Sequence, residues 1–426
     1  MKTPVINDKC YAGILLAAIG DALGWPYENP RRISNLKELQ PGYFHNWFRR
    51  MGSRGITMKT LEPLEKGNYS DDTQMTLMTL RSLLSQNENA HFIKELIYFL
   101  HYQRGGGRSV KSSAKAYLEN STPWFHESCK NYFTARSNGG MMRQFPIVIQ
   151  HRNDTSLESL LFHITHHGLL THGHPEAVIG TMIIGLLQFY ALHKSKETTF
   201  LEYIDYIEEQ YALWSTLPID AFPKDFHQQY KKIIGQNYEL TWQNTVTEYM
   251  TTLSKLKDDL IHQIDIRTIL SKFHIHNRNR GYGISTVLSV LYYLEYYYKN
   301  PIEGFIACTT NSSIDCDTSA SILGSILGAR YGSSIIAEHW SEVQDYLYMK
   351  QLVSYLLADN PNELYTKSIE KELENQSHLS WISTPIEPAI TEPASILATY
   401  KTTQTYRQPY KTVLGQTYYV VYREKL

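Results

Sequence analysis

The chain has 426 residues, with 41 Lys and Arg against 42 Asp and Glu, so its formal net charge is −1. This length exceeds the roughly 100–200 residues of a usual domain and allows either several domains or one large helical domain with an appendage. The balanced charge gives no overall basic field, so composition does not indicate binding to nucleic acid or anionic membranes. Local basic patches are present near 104–115 and 278–280.

The four cysteines are widely spread and form no Cys-x-x-Cys pair. Neither a structural zinc site nor a disulfide framework is therefore predicted. The first residues lack the long apolar core of a signal peptide, and no run of about eighteen apolar residues is available to span a bilayer. We expect a cytoplasmic protein with reduced thiols and no membrane contact.

The first apolar stretch, residues 9–24, predicts a tightly packed helix that Gly24 can end. Asp21 interrupts its buried-looking face, and the simplest interpretation is that its carboxylate binds backbone amides of a neighbouring loop. Residues 25–28 are expected to form a turn that ends in Glu28. Desolvation by aromatic neighbours would raise the pKa of Glu28 and make it an acid/base candidate. A solvated loop glutamate is the simpler alternative.

Two acidic motifs each open a predicted helix. Ser70-Asp71-Asp72-Thr73 begins with a good N-cap, and Asp315-Cys316-Asp317-Thr318 precedes an apolar helix of small residues that runs to Gly332. Helix capping and favourable dipole interactions alone would explain both motifs. If the two helix starts meet, their carboxylate and hydroxyl oxygens would instead suit Mg²⁺, Mn²⁺ or Ca²⁺.

Two glycine-rich segments are candidates for holding phosphate. The segment 104–109 places three glycines between two arginines, but it lacks a Walker ending, so a nucleotide triphosphatase is not indicated. A flexible loop is the alternative there. The segment 136–143 is predicted to be a turn that enters a helix, where backbone amides would suit a diphosphate.

Five histidines fall within 163–176, but their spacing does not match known zinc motifs, so zinc is not favoured. His172 is expected where a loop enters a helix, free to donate to a ligand oxygen. Tyr282 lies in another glycine-rich turn, and its ring would either stack on a base or sugar or serve packing.

Periodicity predicts further helices at 89–102, 110–118, 176–195, 200–262, 285–298 and 337–358. Residues 30–68 are expected to be irregular, and 375–395 to form a linker. Residues 397–424 predict a β-hairpin or strand pair that turns at Gly415.

Taken together, five stretches resemble the motifs of the ADP-ribosylglycohydrolase family, in the family's order. They are Gly20–Glu28, Tyr69–Thr73, Ser137–Arg143, Thr171–Pro175 and Asp315–Thr318. The likeness extends over residues 9–333. Ser313-Ile314 stands where the family usually has Gly-Gly, Cys316 replaces a common Thr, and Ser137 replaces a Gly.

The resemblance implies an all-α fold with one large orthogonal helical domain, which we assign to residues 1–374. Residues 375–426 lie outside the family core and are predicted to form a linker plus a small β-hairpin extension. The resemblance implies two Mg²⁺ (or Mn²⁺) ions ligated by Ser70, Asp71, Asp72, Asp315, Asp317 and Thr318. It also implies the catalytic residues Glu28, Asp71 and Asp317, and the substrate-binding residues Ser137, Asn138, Gly139, Gly140, His172 and Tyr282.

The activity implied is metal-dependent hydrolysis that removes ADP-ribose from a modified protein side chain, with arginine favoured over serine or a nucleic-acid base. The altered closing motif and the C-terminal extension prompt a second hypothesis: a non-catalytic ADP-ribose-binding or structural protein that retains the fold. A third is a metal-assisted hydrolase of another nucleoside or sugar derivative.

Overall fold

Two helices built from small residues, α1 (Thr3–Glu28) and α16 (Cys316–Tyr331), lie side by side at the centre of the computed structural model. The structure describes residues 3–33, 35–53, 56–276, 278–400 and 402–426. The two backbones approach closely because glycines occupy the contact. A Cβ atom on Gly324 would overlap the carbonyl of Leu16, and one on Gly20 would overlap the carbonyl of Ala320. This contact brings Asp21 and Asp317 together.

The remaining helices surround this pair. They are α2 (Asp71–Leu83), α3 (Glu88–Tyr102), α4 (Arg108–Leu118), α5 (Cys129–Thr134), α6 (Phe145–Gln150), α7 (Leu157–Leu169), α8 (Pro175–His193), α9 (Glu202–Glu209), α10 (Tyr211–Ser215), α11 (Phe226–Ile234), α12 (Tyr238–Ile261), α13 (Ile266–Lys272), α14 (Gly283–Tyr296), α15 (Pro301–Thr310), α17 (Tyr346–Leu356) and α18 (Pro361–Asn375). The predicted helical fold class is confirmed.

The N-terminal helix is longer than expected, because residues 25–28 continue α1 instead of forming a turn. Gly24 was interpreted as a helix end, but it is a packing residue: a Cβ there would lie 2.6 Å from the Cα of Asp317. Trp25 is buried and its ring meets that of Trp47 edge-on at 5.1 Å. Burial of this apolar side chain offsets the cost of Pro26 within the last turn.

The prediction of an irregular segment at 30–68 was partly wrong. Strands β1 (Trp47–Ser53) and β2 (Ile56–Leu64) pair there as an antiparallel hairpin. Trp47 and Leu64 pack with Trp25, Ile33 and Leu39 in a small separate apolar cluster. The hairpin depends on this tertiary contact, which local sequence does not reveal. The region 200–262, which was predicted to be helical, contains four helices, α9 to α12.

Helix α8 is long and apolar enough by composition to cross a bilayer, but its apolar window is 89% buried inside the fold. It packs on α7, α14 and α16. Its apolar character therefore matches the core helix of a globular protein. All four cysteines are buried and free.

The C-terminal strands form a four-stranded antiparallel sheet. Strand β5 (Thr403–Thr412) is central: β6 (Thr417–Lys425) pairs along one edge, while β4 (Ser395–Tyr400) and β3 (Ala389–Thr391) pair along the other. The predicted turn at Gly415 is confirmed, with a φ of +104° that favours glycine. The segment expected to be a linker is anchored, because Glu387 is buried and accepts hydrogen bonds from the hydroxyls of Tyr348 and Tyr365.

We predict that Gly324→Ala destabilises the protein by about 1–3 kcal/mol, because the added methyl group forces α1 and α16 apart. Urea unfolding would measure this. Gly107→Ala is the control, since a Cβ there meets nothing within 4 Å, and its effect should stay within about 0.5 kcal/mol. Equal stability of the Gly324→Ala variant and the wild type would contradict the central role of this contact.

Candidate active site

Three carboxylates meet where α1, α2 and α16 converge. Oxygens of Asp21, Asp72 and Asp317 all lie within 4.8 Å of one another, and all three residues are buried. The two predicted acidic helix starts therefore do meet. Buried charges of one sign repel each other strongly in a low-dielectric site, so this arrangement requires protons or a cation.

Asp21 supports the start of α2. Its carboxylate accepts hydrogen bonds from the backbone amides of Ser70 (3.0 Å) and Thr73 (2.9 Å) and from the Thr73 hydroxyl (2.6 Å). The prediction that Asp21 binds backbone amides is confirmed. Its place in the acidic cluster was missed, because only the helix contact brings residue 21 beside residue 317.

Asp72 carries the clearest sign of an additional partner. The hydroxyls of Ser70 and Thr318 donate to its Oδ2 atom at 3.1 and 3.3 Å. Its Oδ1 atom is buried and has no hydrogen-bond partner within the described part of the chain. Burial, with Asp21 and Asp71 nearby, raises the pKa of Asp72 well above its usual value. An oxygen-only donor set with an unpartnered carboxylate oxygen fits a hard divalent cation.

Ser70 both caps α2 and joins this cluster. Its hydroxyl oxygen accepts a hydrogen bond from the amide of Asp72 at 3.4 Å, and the hydroxyl donates a hydrogen bond to the Asp72 carboxylate. The capping interpretation is thus correct for this helix. Ligation of a metal by Ser70 stays a prediction.

Asp71 and Asp315 lie at the rim of the acidic cluster. Burial, assisted by Asp21 and Glu28, raises the pKa of Asp71 to about 8. Asp315 makes no side-chain capping hydrogen bond to α16, so the capping alternative fails for it. It accepts instead from the Asn138 amide at 2.9 Å, which joins the acidic motif to the second glycine-rich segment.

Glu28 lines the same cleft and is held by Arg280. The guanidinium lies 3.0 Å from its carboxylate and also donates to the carbonyl of Ser312 at 3.1 Å. The carboxylate side chain remains one-third exposed. Glu28 is therefore an ion-paired group at the entrance to the cleft. It matches neither of the predicted alternatives, a desolvated glutamate among aromatic side chains or a freely solvated loop glutamate.

The segment 136–143 is a turn that lies beside the acidic cluster. Helix α6 begins only at Phe145, so the expected helix N-terminus at the glycines is absent from this described segment. Arg143 fixes the turn from behind: it is buried and donates to the carbonyl of Gly139 (2.6 Å) and the hydroxyl of Thr171 (2.8 Å). This supporting role was not predicted.

His172 is buried and engaged at both ring nitrogens. Nε2 lies 3.0 Å from the Ser137 hydroxyl and Nδ1 lies 2.8 Å from the Thr171 hydroxyl. Burial, with Arg143 nearby, lowers the pKa of His172 to about 3, so its ring is neutral at physiological pH. We expected His172 to be free to donate to a ligand, but both of its ring nitrogens are engaged. It would contact a ligand through Ser137, or directly once its hydrogen bond to Ser137 breaks.

The structure also places two further candidates for ligand binding, Tyr282 and the first glycine-rich segment. The Tyr282 backbone bridges to Ser137, and its ring lies 5.9 Å from the guanidinium of Arg136, so base stacking stays a prediction. Arg104 is buried with its guanidinium against the ring of Tyr419 and is not among the residues that line the cleft, so the structure does not place it where a phosphate would bind; Arg108 is exposed. The glycines that follow Arg104 do reach the cleft.

The cleft is lined by Glu28, Asp71, Asp72, Gly105, Gly107, Ser109, Val110, Ser137, Asn138, Gly139, Met142, His172, Asp315, Asp317 and Thr318. Carboxylates and glycine-rich turns adjoin in this lining, since Asp315 accepts from Asn138 and Gly105 lies against Asp71. The five histidines of 163–176 do not gather: His163 pairs with Glu88, and His167 lies buried against Phe92. Across the described part of the chain, Asp21, Asp72 and Asp317 form the one group of three or more potential metal ligands.

A largely helical fold with a cleft lined by carboxylates and glycine-rich turns is suited to a cation and a polar ligand. The sequence model of ADP-ribosylglycohydrolase matches residues 2–370. The chain therefore belongs to the ADP-ribosylglycohydrolase family. A solved structure titled "ADP-ribosylglycohydrolase-related protein complex" aligns with 84% of this chain and 99% of its own, at 19% identity and a TM-score of 0.49.

We predict that Mg²⁺ raises the melting temperature of the wild-type protein by a few degrees, since a ligand at about 100 times its Kd adds about 2.7 kcal/mol to the free energy of unfolding. Asp317→Asn should remove this gain and should raise stability in chelator, because it removes a buried like charge. Differential scanning calorimetry would measure both effects.

Asp359→Asn is the matched control, since Asp359 is exposed and far from the cluster in sequence. It should keep the Mg²⁺ gain. A gain that persists in Asp317→Asn would place the cation elsewhere.

Proposed function

We propose that this protein is a metal-dependent hydrolase that removes ADP-ribose from a modified arginine side chain. Family membership supports hydrolysis of an ADP-ribose linkage. The observation that carries the metal is the buried group of Asp21, Asp72 and Asp317, with the Asp72 Oδ1 atom lacking a partner. Arginine as the acceptor is the finer part of the proposal.

The ligands proposed for two Mg²⁺ (or Mn²⁺) ions are Ser70, Asp71, Asp72, Asp315, Asp317 and Thr318. The Thr318 hydroxyl lies against Asp72, and Asp71 and Asp315 lie at the rim, so this set borders one region. When bound, the cations would supply positive charge that orients ribose hydroxyls and acidifies the attacking water. Asp21 would act from behind, by holding the amides of Ser70 and Thr73.

The chain's own groups would stabilise charge and transfer the proton. Cleavage of the bond at C1″ of the distal ribose develops positive charge on that sugar, as in other glycosidic hydrolyses. The carboxylates of Asp71 and Asp317 would stabilise this charge. Glu28 would accept or donate a proton once its contact with Arg280 loosens, since a general acid or base must reach the reacting group.

The glycine-rich wall would hold the rest of ADP-ribose. Ser137, Asn138, Gly139 and Gly140 would contact the diphosphate, in a turn fixed by Arg143. Neutral His172 would orient the Ser137 hydroxyl without adding a charge. Tyr282 is proposed to border the adenosine or distal ribose, and Gly105 and Gly107 would complete the opposite edge of the cleft.

We predict that the wild-type enzyme releases free ADP-ribose from an arginine-ADP-ribosylated protein with Mg²⁺ but not with chelator. The Asp315→Ala/Asp317→Ala variant should lose about a thousandfold or more in rate, because several kcal/mol of charge stabilisation would be removed. Chromatography of released ADP-ribose would measure the rates, and circular dichroism would show that the variant keeps its helices.

The outcomes separate the competing functions. Full activity of the double variant would refute the proposed chemistry. Tight binding of ADP-ribose without release from arginine, serine or nucleic-acid conjugates would identify a non-catalytic reader instead. Release from serine or from a base alone would keep the hydrolase and replace the acceptor.

A further inference from the structure

The C-terminal sheet lies beyond the family match at residues 2–370, yet it packs on α2, which carries one of the acidic motifs, and on the neighbouring helix α3. The ring of Tyr418 meets that of Tyr102 at 5.4 Å on α3. The Gln416 side chain accepts from Arg81 of α2 at 2.8 Å. The Thr417 amide donates to Asp345 at 3.0 Å, and Asp345 accepts from the Tyr69 hydroxyl at 2.6 Å. These contacts make the sheet part of the surroundings of α2.

The sheet contacts the loop that borders the cleft through Arg104, the residue that precedes Gly105. This side chain is only 3% exposed, and its guanidinium lies 4.6 Å from the centre of the Tyr419 ring. Among the described residues, its hydrogen-bond acceptors are all uncharged. They are the side-chain oxygens of Gln344 (3.0 Å) and Asn68 (3.4 Å) and the carbonyl of Tyr69 (3.4 Å).

A buried guanidinium without a directly bonded carboxylate depends on every remaining favourable contact. The face of an aromatic ring attracts a cation, and this attraction strengthens when the pair is removed from water. Tyr419 supplies such a ring to Arg104, and it also lies 3.7 Å from the guanidinium of Arg407. Arg407 in turn donates to the carbonyl of Pro63 in the N-terminal hairpin at 2.7 Å. Tyr419 therefore stabilises two cations at the junction of the sheet and the helical body.

The position of Arg104 determines where the first glycine-rich loop lies. Its backbone amide donates to Gln74 of α2 at 2.9 Å. The next residue, Gly105, has a φ of +105°, and a Cβ atom there would lie 2.7 Å from the Asp71 Oδ1 atom. The loop thus passes directly against a carboxylate of the candidate site. A small movement of Arg104 would change this contact and the wall formed by Gly105 and Gly107.

We propose that Tyr419 and Arg104 are positioning residues, through which the C-terminal sheet holds the 105–107 loop against Asp71 for binding of ADP-ribose. This inference rests on the proposed function for the identity of the ligand. It does not rest on that function for the order of the loop. The extension is then a working part of the site, although it lies outside the shared family sequence.

The full chain carrying Tyr419→Met tests the proposal, because methionine fills the space without an aromatic face. We expect faster hydrogen exchange in peptides that cover residues 104–110, and about tenfold weaker ADP-ribose binding by calorimetry in the presence of Mg²⁺. Tyr419→Phe keeps the ring and should restore both values to within about twofold of the wild type.

Tyr422→Met is the matched control on the same strand. The Tyr422 ring stacks on Tyr406 at 5.3 Å, away from Arg104, so this variant should also remain within about twofold of the wild type. Arg104→Lys gives a second approach from the loop side if Tyr419→Met does not fold. It keeps the charge but loses the planar guanidinium, and it should reproduce the local exchange and the weaker binding.

Unchanged exchange at 104–110 and unchanged affinity in Tyr419→Met would overturn the inference. A uniform rise in exchange over the whole chain, in this variant and in Arg104→Lys, would also overturn it and would indicate general destabilisation. If the wild type does not bind ADP-ribose but the local exchange pattern is found, the proposed function fails while the positioning of the loop stands.

Discussion

The structure depends on the cost of keeping several carboxylates close together away from water. Asp21, Asp72 and Asp317 lie on three different helices, and their oxygens are within 4.8 Å of one another. Burial is the largest cause that raises the pKa of each of them. Such a group is unfavourable for the free energy of folding unless protons or a cation compensate it. The acidic cluster therefore reduces the stability of the fold, and such unfavourable groups of titratable residues are typical of a functional centre.

Tight packing of the surrounding helices keeps the carboxylates close together despite their mutual repulsion. Helices α1 and α16 approach through glycines, so the carboxylates that they carry have little freedom to separate. Asp21 then fixes the first turn of α2 through the amides of Ser70 and Thr73. Arg143 fixes the second glycine-rich turn through the carbonyl of Gly139. Asp21 and Arg143 thus fix the acidic and the glycine-rich parts of the site, and the cleft between these parts remains available for a ligand.

Motifs that combine local chemistry with a helix start could be predicted well. The acidic residues 70–72 and 315–318 are both predicted at helix N-termini, with helix capping or a shared oxygen-rich site as the alternatives, and the structure brings Asp72 and Asp317 together. Roles that depend on a distant partner could not be predicted. His172 was expected to be free, but Ser137 and Thr171 occupy its nitrogens; Arg104 was expected to face a phosphate, but it points toward Tyr419.

Helix period, capping and turn chemistry are local properties, so the individual helices, the turn at Gly415 and the acidic and glycine-rich motifs could be predicted from the sequence, and the family resemblance implied the all-α class. Three features follow from tertiary packing: Gly24 packs instead of ending a helix, Asp21 belongs to the acidic cluster, and the C-terminal sheet contacts the loop beside Asp71. These outcomes depend on which backbones approach each other across long sequence separations. That approach is decided by the packing of the whole core, which no local pattern encodes.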